Sequence, residues 1–198
     1  MAYATVDQLK IRLNVESSVL LEEILDAASA EVDGYCGRTF GQLGTAMAPQ
    51  VRTFTADNGL VCFVDDLVSV TALTTDGDGD RTYETTWSAA DFDLSPDNAN
   101  VKGWPYQSVH VAPLAGQTFP RQRKAVRVSG VWGWPAVPKA VTEATLIYAG
   151  LLFKRKDAPF GVLAEGSFGA VVMAHRMDPQ VEQLLLPYRA LGVLAVGQ

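Results

Sequence analysis

Cysteine and histidine are scarce in this 198-residue chain: Cys36, Cys62, His110 and His175 are all it has. Two cysteines cannot build a disulfide framework, and their spacing fits no zinc pattern. Long apolar runs are missing as well. None approaches the roughly 20 residues that cross a bilayer, so no membrane partner is expected. The opening segment, residues 1–13, lacks the basic-then-apolar layout of a secretory signal. These absences predict a soluble protein kept in a reducing cytoplasm. Excess positive charge is lacking too: the formal net charge is −6, which argues against a main task of gripping nucleic-acid phosphates. A passive conduit stays compatible, because a like-charged wall lets DNA slide without sticking.

What is present is ordinary globular composition, 48% hydrophobic and 19% charged, enough for one sizeable core or two small ones. Thr5 with Gln8 forms a capping box for a first helix carrying Leu9 and Leu13, with Asn14 as its stop. Ser17 or Ser18 is the expected cap of a second helix, with Glu22 and Glu23 near its positive end. Leu21, Ile24, Leu25, Ala28, Val32 and Tyr35 trace its apolar stripe, and Gly37 suits the left-handed residue beyond its end.

From about Gln50 to Pro135 the texture becomes β-branched and aromatic. Strands are predicted over Val51–Phe54, Leu60–Val64, Leu67–Thr74, Arg81–Trp87, Ser108–Val111 and Ala125–Trp132, with turn signals at residues 57–59, 76–80, 95–98 and Gly116. All four tryptophans fall in this block, which therefore reads as an antiparallel unit with its own core. Helix returns after Pro138, with Val141, Ala144, Ile147, Tyr148, Leu151 and Leu152 as its predicted buried face and Lys154–Lys156 at its negative end. A Gly-rich stretch, residues 157–177, follows. Asp178-Pro179 then caps a short helix with Val181, Leu184 and Leu185, ended by Pro187.

The candidate chemical sites are weak. Asp76, Asp78 and Asp80 alternate like the start of a calcium loop, yet Arg81 stands where the loop glycine belongs and Trp87 where the closing glutamate belongs. A solvated hairpin tip is the expected reading, and a small metal-dependent hydrolase the rival one. Residues 161–169 contain no GxGxxG or GxxxxGK, so they form no phosphate cradle. Neither histidine has a nucleophile motif beside it. Arg121, Arg123, Lys124 and Arg127 make the densest basic patch, in which Arg123, Arg127 and Ser129 would share a strand face. That Arg121–Arg127 face is the basis of an alternative reading, a DNA-binding or other soluble assembly protein. No catalytic residue, metal or cofactor is expected, and the chain reads as a non-enzymatic protein that works by binding.

Two stretches carry a resemblance. The first is the amphipathic helix from Leu21 ending in Gly34-Tyr35-Cys36-Gly37-Arg38-Thr39-Phe40. The second begins at Val128, VSGVWGWPAVPKAVTEATLIYAGLLFKRKDAPFGV, and runs on to MDPQVEQLLLPYR. In this order and spacing they resemble the head–tail connector (adaptor) proteins of tailed bacteriophages. The resemblance implies an α-helical core and self-assembly into a ring, about twelve-fold, under the portal protein. A tail-side connector or tail terminator protein would lie below, with DNA passing through the lumen without sequence-specific binding. It also implies a place in the virion at the head–tail junction after assembly in the host cytoplasm.

In this motif Gly37 would permit the chain reversal, Arg38 would reach the last helix carbonyls or a neighbour's carboxylate, and Phe40 would pack beneath. The apolar tail supplies the expected docking residues for portal or adjacent subunit: Tyr188, Arg189, Leu191, Val193, Leu194 and Val196. The fold expected is α+β. A helical-bundle core comes from residues 1–48 and 137–186, an antiparallel β domain is inserted at 49–136, and a docking tail occupies 187–198.

Overall fold

Local signals place the first helix. In the computed structural model, which describes residues 2–16, 19–155 and 177–190, α1 (Val6–Leu13) opens on the predicted capping box. The Gln8 backbone N–H donates to Thr5 Oγ1 at 3.2 Å, and the Thr5 N–H donates to Gln8 Oε1 at 2.8 Å. Asn14 ends the helix in the left-handed region at φ 54°. Helix α2 covers Val19–Cys36; its predicted cap, Ser17 or Ser18, lies outside the described residues. Leu21, Leu25, Ala28 and Val32 of the predicted stripe are fully buried.

The chain divides into two compact units, one of Phe40–Ala136 and one of Met1–Thr39 with Val137–Gln198. In the helical unit α3 (Lys139–Arg155) and α4 (Pro179–Leu185) join α1 and α2. Ala4, Leu9, Leu21, Leu25, Ala28, Leu146 and Ala149 form its buried cluster. The predicted face of α3 is rotated. Val141 and Ala144 are buried as expected, but Thr145, Leu146 and Ala149 join them, while Ile147, Tyr148, Leu151 and Leu152 are half-buried. Small side chains let the helices approach closely. Thr145 can be among them because its hydroxyl donates to the Val141 carbonyl at 2.9 Å.

The expected helical-bundle core is not what organises this protein. The architecture is mixed and dominated by one seven-stranded antiparallel sheet, and the described residues hold four helices, of which α1 and α4 have 8 and 7 residues. Helices of about two turns present too little apolar face to build a bundle.

The strands are β1 (Gln42–Leu43), β2 (Gln50–Phe54), β3 (Val61–Thr75), β4 (Thr85–Trp87), β5 (Phe92–Ser95), β6 (Tyr106–Val111) and β7 (Val126–Gly133). Their order is β1-β7-β3-β6-β5, with β2 also on β7 and β4 also on β3. Two predicted strands, Leu60–Val64 and Leu67–Thr74, are one 15-residue strand whose register shifts between Phe63 and Leu67. Asp65 and Asp66 read as a break in the sequence but have partners in the fold. Asp65 pairs with Arg52 at 2.6 Å, and Asp66 accepts the Trp134 indole N–H at 3.1 Å. The predicted strand Arg81–Trp87 keeps only its last three residues, and β1 and β5 had no separate sequence signal.

Aromatic side chains fill the sheet unit. Trp87 stacks on Phe119 at 4.7 Å, and Trp132 lies 5.4 Å from Phe54. Each buried indole N–H finds an acceptor: Trp87 donates to Thr75 Oγ1 at 3.0 Å and Trp132 to the Gln50 carbonyl at 2.9 Å. Among the described residues no helix is long and apolar enough to cross a membrane.

Candidate functional site

Where α2 ends, the chain must reverse and the last helix carbonyls must find donors. Gly37 makes the reversal as predicted, at φ +65°, and its N–H donates to the Asp33 carbonyl at 2.8 Å. The Cys36 carbonyl is served from far along the sequence: the Ala190 N–H donates to it at 2.7 Å. Beside this bond the Arg189 guanidinium lies over the Tyr35 ring, 5.0 Å from its centroid. A cation here also suits the negative end of α2. Burial pushes the Cys36 thiol up to about 11, although Arg38 and Arg189 pull the other way, so it is an inert core thiol. Cys62, also buried, is pushed to about 12.

The rest of the predicted motif and docking set falls as follows. Arg38 is half-buried. Phe40 is fully buried in the sheet unit, 5.2 Å from Trp134. Tyr188 closes the short 3-10 turn Leu186–Tyr188 that follows α4, and Arg189 N–H donates back to the Leu186 carbonyl at 3.5 Å. Leu191, Val193, Leu194 and Val196 lie outside the described residues, as do residues 161–169, His175 and Lys156. Sequence reasoning found the left-handed Gly37 but missed that Tyr35 and Cys36 receive Arg189 and Ala190. No local signal reports a contact between residues so distant in the chain.

The acidic tip is organised by hydrogen bonds. Asp76 is buried, and its carboxylate accepts the Gly79 N–H at 2.6 Å and the Arg81 N–H at 2.9 Å. Desolvation pushes this carboxyl up, but those backbone donors outweigh it and hold its pKa below the usual carboxylate value. The three carboxylates that do converge are Asp76, Asp78 and Glu84, with ligand atoms within 4.8 Å of one another, rather than Asp76, Asp78 and Asp80. Both Asp76 oxygens already serve the loop backbone, and Asp80 instead accepts the Thr82 N–H at 2.6 Å. The geometry is that of a self-bonded turn.

The basic face is partly committed as well. Arg127 donates from Nε to Thr74 Oγ1 at 3.0 Å and lies 4.3 Å from the Tyr83 ring centroid. Arg121, Arg123 and Lys124 are exposed on the turn before β7. Ser108 Oγ lies 3.0 Å from His110 Nε2, and Asp93 stands opposite His110 across the strands. Ser108 is only 6% exposed, which denies a substrate carbonyl its approach.

These elements define first a class of fold, a two-unit α+β chain dominated by an antiparallel sheet. Three solved chains share it. Over 98% of this chain and 92% of the other, the match is to a chain in the neck of an empty gene transfer agent (GTA) particle computed with C6 symmetry, with TM-score 0.57 and 20% identity. The neck of the native particle computed with C12 symmetry matches with the same coverages, TM-score 0.54 and 20% identity. A chain of the native GTA virion matches over 98% and 92% with TM-score 0.56 and 18% identity. No protein-family model and no curated protein matches the sequence.

Proposed function

We propose that this chain is a structural, non-enzymatic subunit of a phage-type head–tail connector ring. In this reading copies close head-to-tail into a ring of about twelve. The ring docks beneath the portal protein, meets a tail-side connector or tail terminator protein below, and lets DNA pass through its lumen. The observation that carries the reading is the fold likeness over 98% of the chain to a neck component of a phage-like particle. It stands beside the connector-like segment Gly34–Phe40 at the end of α2. The net charge of −6 suits a lumen that DNA slides through.

The docking element in this reading is the apolar tail, with Leu191, Val193, Leu194 and Val196 rooted on Tyr188 and Arg189. Covering those side chains gains about 1.5–3 kcal/mol each before ordering entropy is subtracted. Removing residues 191–198 should leave the melting temperature nearly unchanged and abolish joining to portal-bearing heads. Negative-stain images of the purified protein, alone and with portal, test the ring directly. Absence of any ring or portal complex under both conditions would sink the proposal. Steeply salt-dependent binding to duplex DNA, lost on removing Arg121 and Arg123, would favour the DNA-binding alternative.

A further inference from the structure

We propose that the C-terminal end of α2 is a tail anchor: Tyr35 and the Cys36 carbonyl hold Arg189 and Ala190 beside Gly37, and so fix the residues to which the segment 191–198 is joined. The inference rests on the tail-docking reading above and adds the positioning residues to it.

Two contacts converge there, beside a glycine that the chain reversal requires. The Cys36 carbonyl is one of the acceptors that every helix end leaves over, and the donor that satisfies it is the Ala190 N–H, at 2.7 Å. The Tyr35 ring, half-buried, carries the Arg189 guanidinium at 5.0 Å. Arg189 is also the only charged residue among residues 188–198, so the cation stands at the start of the apolar sequence. Finally, a Cβ built on Gly37 would meet the Ala190 Cβ at 3.6 Å, and Gly37 is held at φ +65°. Any side chain there would strain the backbone, and one larger than alanine would also push toward Ala190. On the other side the root is fixed by α4, whose Val181 and Leu185 are fully buried.

The energetic consequence follows from how binding costs are distributed. A docking segment whose first residue is already placed loses less freedom on association than one tethered at a distant point. In a ring the effect multiplies, because every copy presents its tail from the same place. Arg189 and Ala190 therefore act as positioning residues, not as the docking surface itself.

The test uses the full-length protein and four readouts: amide exchange at Ala190, melting temperature, ring formation, and joining to portal-bearing heads. The Ala190 amide should be protected from exchange in the wild type. Tyr35→Leu and Arg189→Ala should each lose that protection, shift melting by no more than about 4 °C, and lower joining at least about tenfold. Tyr35→Phe, which keeps the ring face, should restore all three. An unprotected Ala190 amide in the wild type overturns the anchor whatever the tail does. So does wild-type joining by Tyr35→Leu and Arg189→Ala when removal of 191–198 abolishes joining, an outcome that leaves the docking reading intact. Wild-type joining after removal of 191–198 overturns the docking reading and the anchor with it.

Discussion

In Phe40–Ala136 the core comes from one continuous stretch of chain and its heaviest members are aromatic: Phe40, Trp87, Phe119, Trp132 and Trp134. In the helical unit the core is aliphatic, and Leu9, Leu21 and Leu25 meet Leu146 and Ala149 from the far side of that stretch. The first arrangement can close on itself. The second must bring two ends of the chain together across about 100 residues, which costs ~4 kcal/mol of chain entropy before any contact forms. The sheet supplies part of that closure, because β1 pairs with the end of β7, Gln42 opposite Gly133 and Leu43 opposite Trp132. The chain thus leaves the sheet unit from neighbouring strands. A short helical unit can be stable when the closure it needs has been made elsewhere.

This comparison predicts a one-way dependence. Leu25→Asp buries an uncompensated charge among Leu9, Leu21 and Leu146, a cost of several kcal/mol. It should remove the helical signal in far-ultraviolet circular dichroism while the tryptophan fluorescence of the sheet stays native. Ile147→Asp, at a half-buried position, should do the same less severely. Loss of both signals together would mean that the two units share one stability.

Trp132→Ala works from the other side. It opens a cavity in the sheet core and removes the indole donor to the Gln50 carbonyl, a destabilisation of about 3–5 kcal/mol. Denaturant titration should show helical and tryptophan signals both lost at lower concentration. A helical transition that stays at its wild-type midpoint would break the closure argument.

Gly133→Ala sharpens it at the end of β7. Gly133 sits at φ +92°, and a Cβ there would fall 1.9 Å from the Gly41 carbonyl oxygen. The variant should lose about 1–3 kcal/mol through backbone strain. It should also expose the amides of the β1–β7 pair to exchange before those of β3.

The smallest effect belongs to the acidic turn. With its folded pKa depressed, Asp76 binds its proton less tightly in the native protein than in the unfolded chain. Its stabilisation is therefore full above the ordinary value of 3.8 and is lost as pH falls through the lower folded value. The stability difference between wild type and Asp76→Asn should be constant near neutrality and shrink below pH 3.8. A difference that grows with acidification would reverse the sign of the argument.

The sequence by itself determined what short-range physics can encode. The Thr5–Gln8 box, the Asn14 stop, the α2 stripe and the left-handed Gly37 follow from caps and periodicity within a few residues. So do the Asp178 cap, whose Oδ1 accepts the Gln180 N–H at 2.8 Å, and most of the strand-forming runs. Tertiary structure alone decided the rest. It joined two predicted strands into β3, because Asp65 and Asp66 found partners on β2 and beyond β7 that local patterning cannot foresee. It rotated the buried face of α3 toward its small residues, replaced Asp80 by Glu84 in the acidic cluster, and made the sheet the dominant element in place of the expected bundle. It also set Ala190 on the Cys36 carbonyl and Arg189 on Tyr35. Each of these depends on strand register or on closing a long loop, and neither leaves a mark in the residues immediately alongside.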